Sequence, residues 1–134
     1  MSVIRSVLRL LLVLWAGSLW SVGLWVAPTL FFAQSDRHLA GLLAGRIFTV
    51  EAYLAVAVAV LALLLPGRSK FLRGYAAAAL LAVNEWALRP VMAAARARGA
   101  LGGLPFGAWH GVSTVLYALA CLALLSVVWN QDRR

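Results

Sequence analysis

The sequence has few charged residues and very few acidic ones. Only 12% of its 134 residues are Asp, Glu, Lys or Arg, and only four are acidic. A water-soluble domain carries about 25% charged residues, so this chain lacks the polar surface that a soluble fold needs. Hydrophobic residues instead make up 64% of the chain. Both features exclude an ordinary soluble domain and indicate a membrane protein, with the lipid bilayer as its first expected partner.

Cysteine is nearly absent, and so are the common motifs of catalysis. The single cysteine, Cys121, excludes a disulfide within the chain. No nucleophile–base arrangement, phosphate-binding loop or paired-carboxylate site stands out in the sequence. The net charge of +8 does not indicate nucleic acid, because the basic residues fall at the ends of apolar runs, where they anchor helices to lipid headgroups. The sequence therefore favours a membrane protein that is not an enzyme, without deciding the point.

Four apolar runs are long enough to cross a bilayer as helices. A span needs about 17–20 residues, and four such runs fit into this chain with short loops. We predict an all-α polytopic membrane protein, with a single transmembrane domain over residues 1–134 built as an antiparallel bundle of four transmembrane helices. The predicted helices cover residues 7–32, 39–65, 71–95 and 105–129. Because the first run exceeds the roughly 7–15 apolar residues of a cleavable signal peptide, we expect it to be a span.

Prolines mark helix ends, and basic residues indicate orientation. Pro66-Gly67 is a stop signal for the second helix, and Pro105 suits the first turn of the fourth. If both termini lie on one side of the membrane, that side holds most of the basic residues. They are Arg5, Arg9, Arg68, Lys70, Arg73, Arg133 and Arg134. The positive-inside rule therefore predicts that both termini are cytoplasmic.

The polar residues within the predicted helices converge in one half of the bilayer. At about 1.5 Å of rise per residue, they lie toward the side opposite the termini. They are Arg46 and Glu51 on the second helix, Asn84, Glu85 and Arg89 on the third, and His110 on the fourth. A charge inside the membrane costs about 2.5–3.5 kcal/mol, so each needs a partner. The sequence thus predicts a periplasm-side intramembrane polar pocket that binds or passes a small ligand, an ion or a proton.

The spacing of these residues suggests some pairs. Glu85 and Arg89 are four residues apart on one helical face and can form an ion pair. Arg46 is about 140° around the helix from Glu51, so Glu51 needs a partner on another helix, such as His110 or Arg89, or else a proton. The alternative is that the arginines snorkel to the headgroups and His110 is structural.

The fourth predicted helix carries a stripe of polar residues on one face. His110, Thr114, Tyr117 and Cys121 follow each other at steps of four, three and four, and Ser113 borders them. We expect this face to look toward the charges on the second and third helices. The hydroxyl groups have a second interpretation, in which they bond to backbone carbonyls or bridge helices without taking part in a site.

Small residues recur four positions apart and predict close helix packing. They are Gly17 with Ser21, Gly41 with Gly45 in a GxxxG motif, and Gly103, Gly107 and Gly111. Such faces serve a homo-oligomer or a membrane protein partner as well as packing within one chain. A structural or assembly subunit is therefore the main alternative function. The glycines that open the second and fourth helices, and the Trp-Pro segments that close the first and third, also fit a duplicated helical hairpin. The alternative is that tryptophan and proline gather at membrane interfaces without any duplication.

Five segments resemble a known family. They are residues 14–20 (LWAGSLW), 26–31 (VAPTLF), 40–51 (AGLLAGRIFTVE), 89–92 (RPVM) and 106–113 (FGAWHGVS). They are similar to a family of small proteobacterial membrane proteins of unknown function, domain of unknown function 4149, related to the eukaryotic transmembrane protein 205. The resemblance implies a multi-pass protein of the bacterial inner membrane and supplies no reaction.

Two weaker likenesses raise the question of a cofactor. The chain is similar in size and helix number to J-type protoporphyrinogen oxidases, which would imply a haem-dependent oxidoreductase with His110 as a haem ligand. Those proteins carry a histidine early in the first helix, where this chain has Trp15. Copper-handling proteins need soft ligands, and Met92, His110 and Cys121 meet this need thinly, with no CxxC motif or methionine cluster. The sequence leaves the metal and the cofactor unknown.

Overall fold

The computed structural model describes residues 2–65 and 71–130, and the regular structure in these ranges is helical. Its elements, in order, are α1 (Ser2–Ser21), a first π-helical segment (Val22–Val26), α2 (Ala27–Ala33), α3 (Arg37–Leu63), α4 (Leu72–Val83), a second π-helical segment (Asn84–Leu88), α5 (Arg89–Arg98) and α6 (Phe106–Trp129). Each π segment continues into its neighbours with helical backbone, so the chain forms four long helices: α1–α2, α3, α4–α5 and α6. The predicted stop at Pro66-Gly67, the basic residues Arg68 and Lys70, and the C-terminal Arg133 and Arg134 lie outside the described residues.

The four predicted helices are present, with ends that differ by a few residues. α1 begins at Ser2, before the apolar run, because helix formation does not require apolar side chains. α5 continues to Arg98, past the predicted end at residue 95, since Arg96 and Arg98 favour the negative end of the helix dipole. Gly99 then ends the helix with a φ of 84°.

Three of the four long helices have the length and apolar composition of a membrane span. The qualifying stretches in the described part of the chain are Ser6–Ala33, Arg37–Leu63 and Phe106–Trp129. The α4–α5 helix is not among them, and it carries Asn84, Glu85 and Arg89 near its middle. The protein is therefore all-helical with three candidate spans, and the four-span bundle stays a prediction.

The helices pack around a small interior core. α4 packs most extensively against α6 and next against α3, and α1 contacts both α3 and α6. Fully buried alanines, among them Ala55, Ala77 and Ala120, let neighbouring backbones approach closely. The large side chains of Trp15, Leu19 and Leu124 fill the remaining space. Many large apolar side chains point outward, as expected for helices that face lipid.

Several structural features recur at one interval in the two halves of the chain. Both π segments have five residues, and each is followed two residues later by a proline, Pro28 or Pro90. The interval from Pro28 to Pro90 also separates Gly41 from Gly103. Three buried residues of α1 have buried counterparts in α4 at the same interval: Trp15 with Ala77, Ala16 with Ala78, and Leu19 with Leu81. This common interval supports the duplicated hairpin that the Trp-Pro and glycine spacing predicts.

Most of the glycines predicted to pack helices together have open space beside them. A Cβ built on Gly17, Gly103, Gly107 or Gly111 would meet no atom within 4 Å, and Ser21 is exposed. Gly41 has only the Phe31 ring nearby, at 4.0 Å. Gly45 is the exception, because a Cβ there would lie 3.1 Å from Nη2 of Arg89. The interior contacts of these helices use buried alanines rather than the predicted glycines.

Candidate functional site

The polar side chains between the helices form three separate groups of contacts. The first joins α3 to the α4–α5 helix through Thr49, Glu85 and Arg89. The second joins the second π segment to α6 through Asn84 and Ser113. The third lies between α1, α3 and α6 and centres on Glu51. The residues predicted to form one pocket therefore make several local connections.

In the first group a carboxylate, a guanidinium and a hydroxyl meet. Nη1 of Arg89 lies 2.5 Å from Oε1 of Glu85, which confirms the predicted ion pair. Thr49 accepts a hydrogen bond from Arg89, and its own hydroxyl lies 2.7 Å from Glu85 Oε1 and 2.9 Å from the Gly45 carbonyl. Gly45 leaves room for the guanidinium because it has no side chain. Thr49 was not among the predicted site residues, because its only signal in the sequence is its position one turn after Gly45 on a largely apolar helix.

The second group is a reciprocal pair of neutral residues. Asn84 donates from Nδ2 to the Ser113 carbonyl at 3.0 Å. The Ser113 hydroxyl donates back to Oδ1 of Asn84 at 2.6 Å. Both side chains are half-buried and face each other across the α6 interface. This pair is a hydrogen-bonded link between helices, which is the second interpretation that the sequence left open for Ser113.

The third group surrounds a buried carboxyl. Glu51 is 3% exposed, and its Oε1 accepts a hydrogen bond from the hydroxyl of Ser18 on α1. Its other oxygen, Oε2, is buried and has no hydrogen-bond partner among the described residues. The sequence suggested His110 or Arg89 as the partner, whereas the structure places a serine of the first helix there. Ser18 was missed because one hydroxyl in a long apolar run is not distinctive.

Tyr117 closes the third group from α6. Its hydroxyl donates to the backbone carbonyl of Leu19 on α1, and its ring packs edge-to-face on Phe48 with 5.1 Å between centroids. Gly23, in the first π segment, accommodates this ring, since a Cβ there would come within 2.8 Å of it. Tyr117 and Cys121 both lie close enough to Glu51 to interact with it electrostatically.

The remaining predicted site residues lie outside these groups. Arg46, His110 and Thr114 are exposed, and the Thr114 hydroxyl donates to the His110 carbonyl of its own helix at 2.9 Å. The His110 ring stacks on Phe106 with 5.6 Å between centroids, and Arg96 covers the same phenyl ring at 4.1 Å. Of the predicted α6 stripe, Tyr117 and the buried Cys121 reach the interior, whereas His110 and Thr114 do not. Because α6 is apolar all round, its sequence gives little indication of which face is buried.

The surroundings of His110 do not fit a haem. His110 is exposed, and neither of two shallow grooves in the described part of the chain includes it. One groove is lined by residues of α6 from Leu122 to Asn130, and the other lies between α2 and α3. Among the described residues, no three His, Cys, Asp or Glu side chains come together as a metal site would require.

Apolar helices of membrane length, joined by buried polar contacts, define a membrane protein of unassigned function. The chain belongs to the family described as "Domain of unknown function (DUF4149)", whose model matches residues 10–101. No curated protein and no solved structure gives a match. The matched range includes Ser18, Glu51 and the Thr49–Glu85–Arg89 group, and it ends before α6.

Proposed function

We propose that the protein is a four-span membrane protein that binds or passes a small ion or a proton through its interior polar residues. The observation that carries the proposal is that a carboxyl, Glu51, is buried between apolar helices and forms no ion pair with any residue of ranges 2–65 and 71–130. Ionisable residues inside a membrane are rare and are associated with ion pathways and proton relays. Arg46 and His110 are both exposed, and each lies three residues before a member of the polar groups, Thr49 or Ser113. On this proposal they line the path by which the ion or proton reaches the interior, and they are not part of the binding site.

The contacts of the α4–α5 helix support its assignment as the fourth span. The two charges near its middle neutralise each other in the Glu85–Arg89 pair, and Asn84 is bonded to Ser113. Polar groups that are satisfied inside the protein lower the free energy of placing this helix in lipid. Four antiparallel spans put both termini on one side. Because most basic residues of the sequence lie on the side of the termini, we propose that both termini are cytoplasmic. The membrane that we propose is the inner membrane of a bacterial cell.

A structural or assembly subunit is the second candidate. It is favoured by the open space beside Gly107 and Gly111, where a partner helix could approach closely. In that case the interior polar contacts hold the helices in register and nothing passes between them.

An ion-flux measurement on the purified protein distinguishes the two functions. The protein is reconstituted into liposomes that enclose a pH-sensitive dye. A potassium gradient and valinomycin then impose a membrane potential. We expect the internal pH to change faster than in protein-free liposomes, and a parallel series with a sodium-sensitive dye tests another cation. Equal rates with and without protein, for both dyes, would contradict ion or proton passage and favour the structural subunit.

A further inference from the structure

The buried carboxyl between α1, α3 and α6 has a more specific chemistry than the proposed function requires. We propose that Glu51 is a proton-binding site, which holds an exchangeable proton on its carboxyl group inside the membrane. The inference rests on the proposed function, since it identifies the species that this interior would take. It stands on the geometry of Glu51, its neighbours on each packed helix, and a comparison with the second half of the chain.

The hydrogen bonds of Glu51 suit a neutral acid and not a carboxylate. One oxygen accepts from Ser18, and the other accepts from no described residue. A carboxylate has about four acceptor sites, and a buried one without a cation needs several donors to replace its hydration. A protonated carboxyl carries no net charge, so its burial costs less free energy and requires fewer hydrogen-bond donors.

Among the described residues, none on the elements packed around Glu51 pairs its carboxyl group with a positive charge. From α1 the facing polar group is the hydroxyl of Ser18, and from α6 they are Tyr117 and Cys121, neither of which is a cation. The Tyr117 hydroxyl is already committed to the Leu19 carbonyl. The guanidinium of Arg89, on the α4–α5 helix, is paired with Glu85.

The same surroundings favour a proton over a metal cation. Hard cations such as Ca²⁺ and Mg²⁺ take about six to eight oxygen ligands. Besides its own carboxyl oxygens, the described contacts bring only the Ser18 hydroxyl directly to Glu51. The nearby Leu19 carbonyl accepts from Tyr117 instead. A proton needs one oxygen, and Oε2 is available for it.

The second half of the chain indicates that a carboxyl is not needed here to join helices. The interval that relates Pro28 to Pro90 also relates Glu51 to Ser113. At that equivalent position the link between the two helices of the hairpin consists of neutral groups, Ser113 and Asn84, with both side chains hydrogen-bonded. An acidic residue at position 51 therefore supplies something that helix packing does not require.

Infrared spectroscopy of the protein in lipid, in H₂O and in D₂O, tests this inference. A carboxylic acid and a carboxylate have separate stretching bands, and at about pH 8 a solvent-exposed carboxyl is fully ionised. The chain has only four acidic side chains, so the spectrum is simple to assign. We expect one carboxylic acid band at this pH that moves to lower frequency in D₂O and is absent from Glu51→Gln. The matched control, Glu85→Gln, keeps the band.

Each other outcome overturns the inference. Absence of the acid band means that Glu51 is ionised, and a band that does not move in D₂O means that its proton does not exchange. Glutamine has the shape of the neutral acid, so failure of Glu51→Gln to fold also contradicts a neutral Glu51. Ion flux without the acid band would contradict only a protonated Glu51 and leave the proposed passage of an ion in place. The acid band without ion flux would contradict the proposed passage and leave Glu51 as a proton-binding site.

Discussion

Arg89→Met should destabilise the folded protein by about 2 kcal/mol, because it leaves the Glu85 carboxylate without a cation. Glu85 is 11% exposed, and Thr49 is the only other side chain bonded to it in the described part of the chain. Removing one partner of a fully buried ion pair costs about 3–5 kcal/mol. We expect less here because the Arg89 side chain is 43% exposed and solvent or headgroups screen part of the charge. Unfolding of the purified protein in mixed micelles, followed by circular dichroism, gives this free energy.

The double variant Glu85→Gln with Arg89→Met separates the unpaired charge from lost packing. If the unpaired carboxylate causes the loss, the double variant should be more stable than Arg89→Met alone. Arg46→Met is the matched control, since Arg46 is exposed and belongs to none of the three groups, and it should unfold like the native sequence. Strictly additive effects of the two substitutions would contradict the role assigned to the pair.

Trp15→Ala should lower the free energy of unfolding by about 3 kcal/mol, because it opens a cavity in the interior core. The Trp15 side chain is 2% exposed and packs in the same core as Leu19, Ala77 and Leu124. Trp25→Ala removes the same side chain from a position that is 72% exposed, on the outer face of the first π segment. We expect that control to change stability little. Equal losses for the two variants, in the same micelle titration, would contradict the placement of Trp15 in the core.

Local features of this fold were predictable from the sequence. The apolar runs predict the four long helices, since each is bounded by glycine, proline or polar residues that end a helix. The Glu85–Arg89 pair follows from a spacing of four residues on one helix. The repeated spacing of prolines and glycines predicts a relation between the two halves, which the π segments and buried positions support.

Contacts between helices were not predictable, because they depend on how each helix is rotated. α3 and α6 are apolar on all sides, so hydrophobic periodicity does not indicate which face is buried. His110 and Thr114 therefore turn outward although Tyr117, on the same predicted stripe, turns inward. The bond from Ser18 to Glu51 joins residues 33 positions apart, and nothing local to either residue specifies it.

On the proposed function, the α4–α5 helix crosses the membrane and carries Asn84, Glu85 and Arg89 inside it. Ala100 is exposed in the turn between α5 and α6, and Ser35 is exposed in the turn between α2 and α3. Cys121 is first replaced by alanine, and a single cysteine is then introduced at position 35 or position 100. Intact cells are treated with a membrane-impermeant maleimide. Four spans predict that Ser35→Cys and Ala100→Cys are both labelled in intact cells. Labelling of Ser35→Cys alone, with Ala100→Cys reacting only after the membrane is opened, would contradict the fourth span.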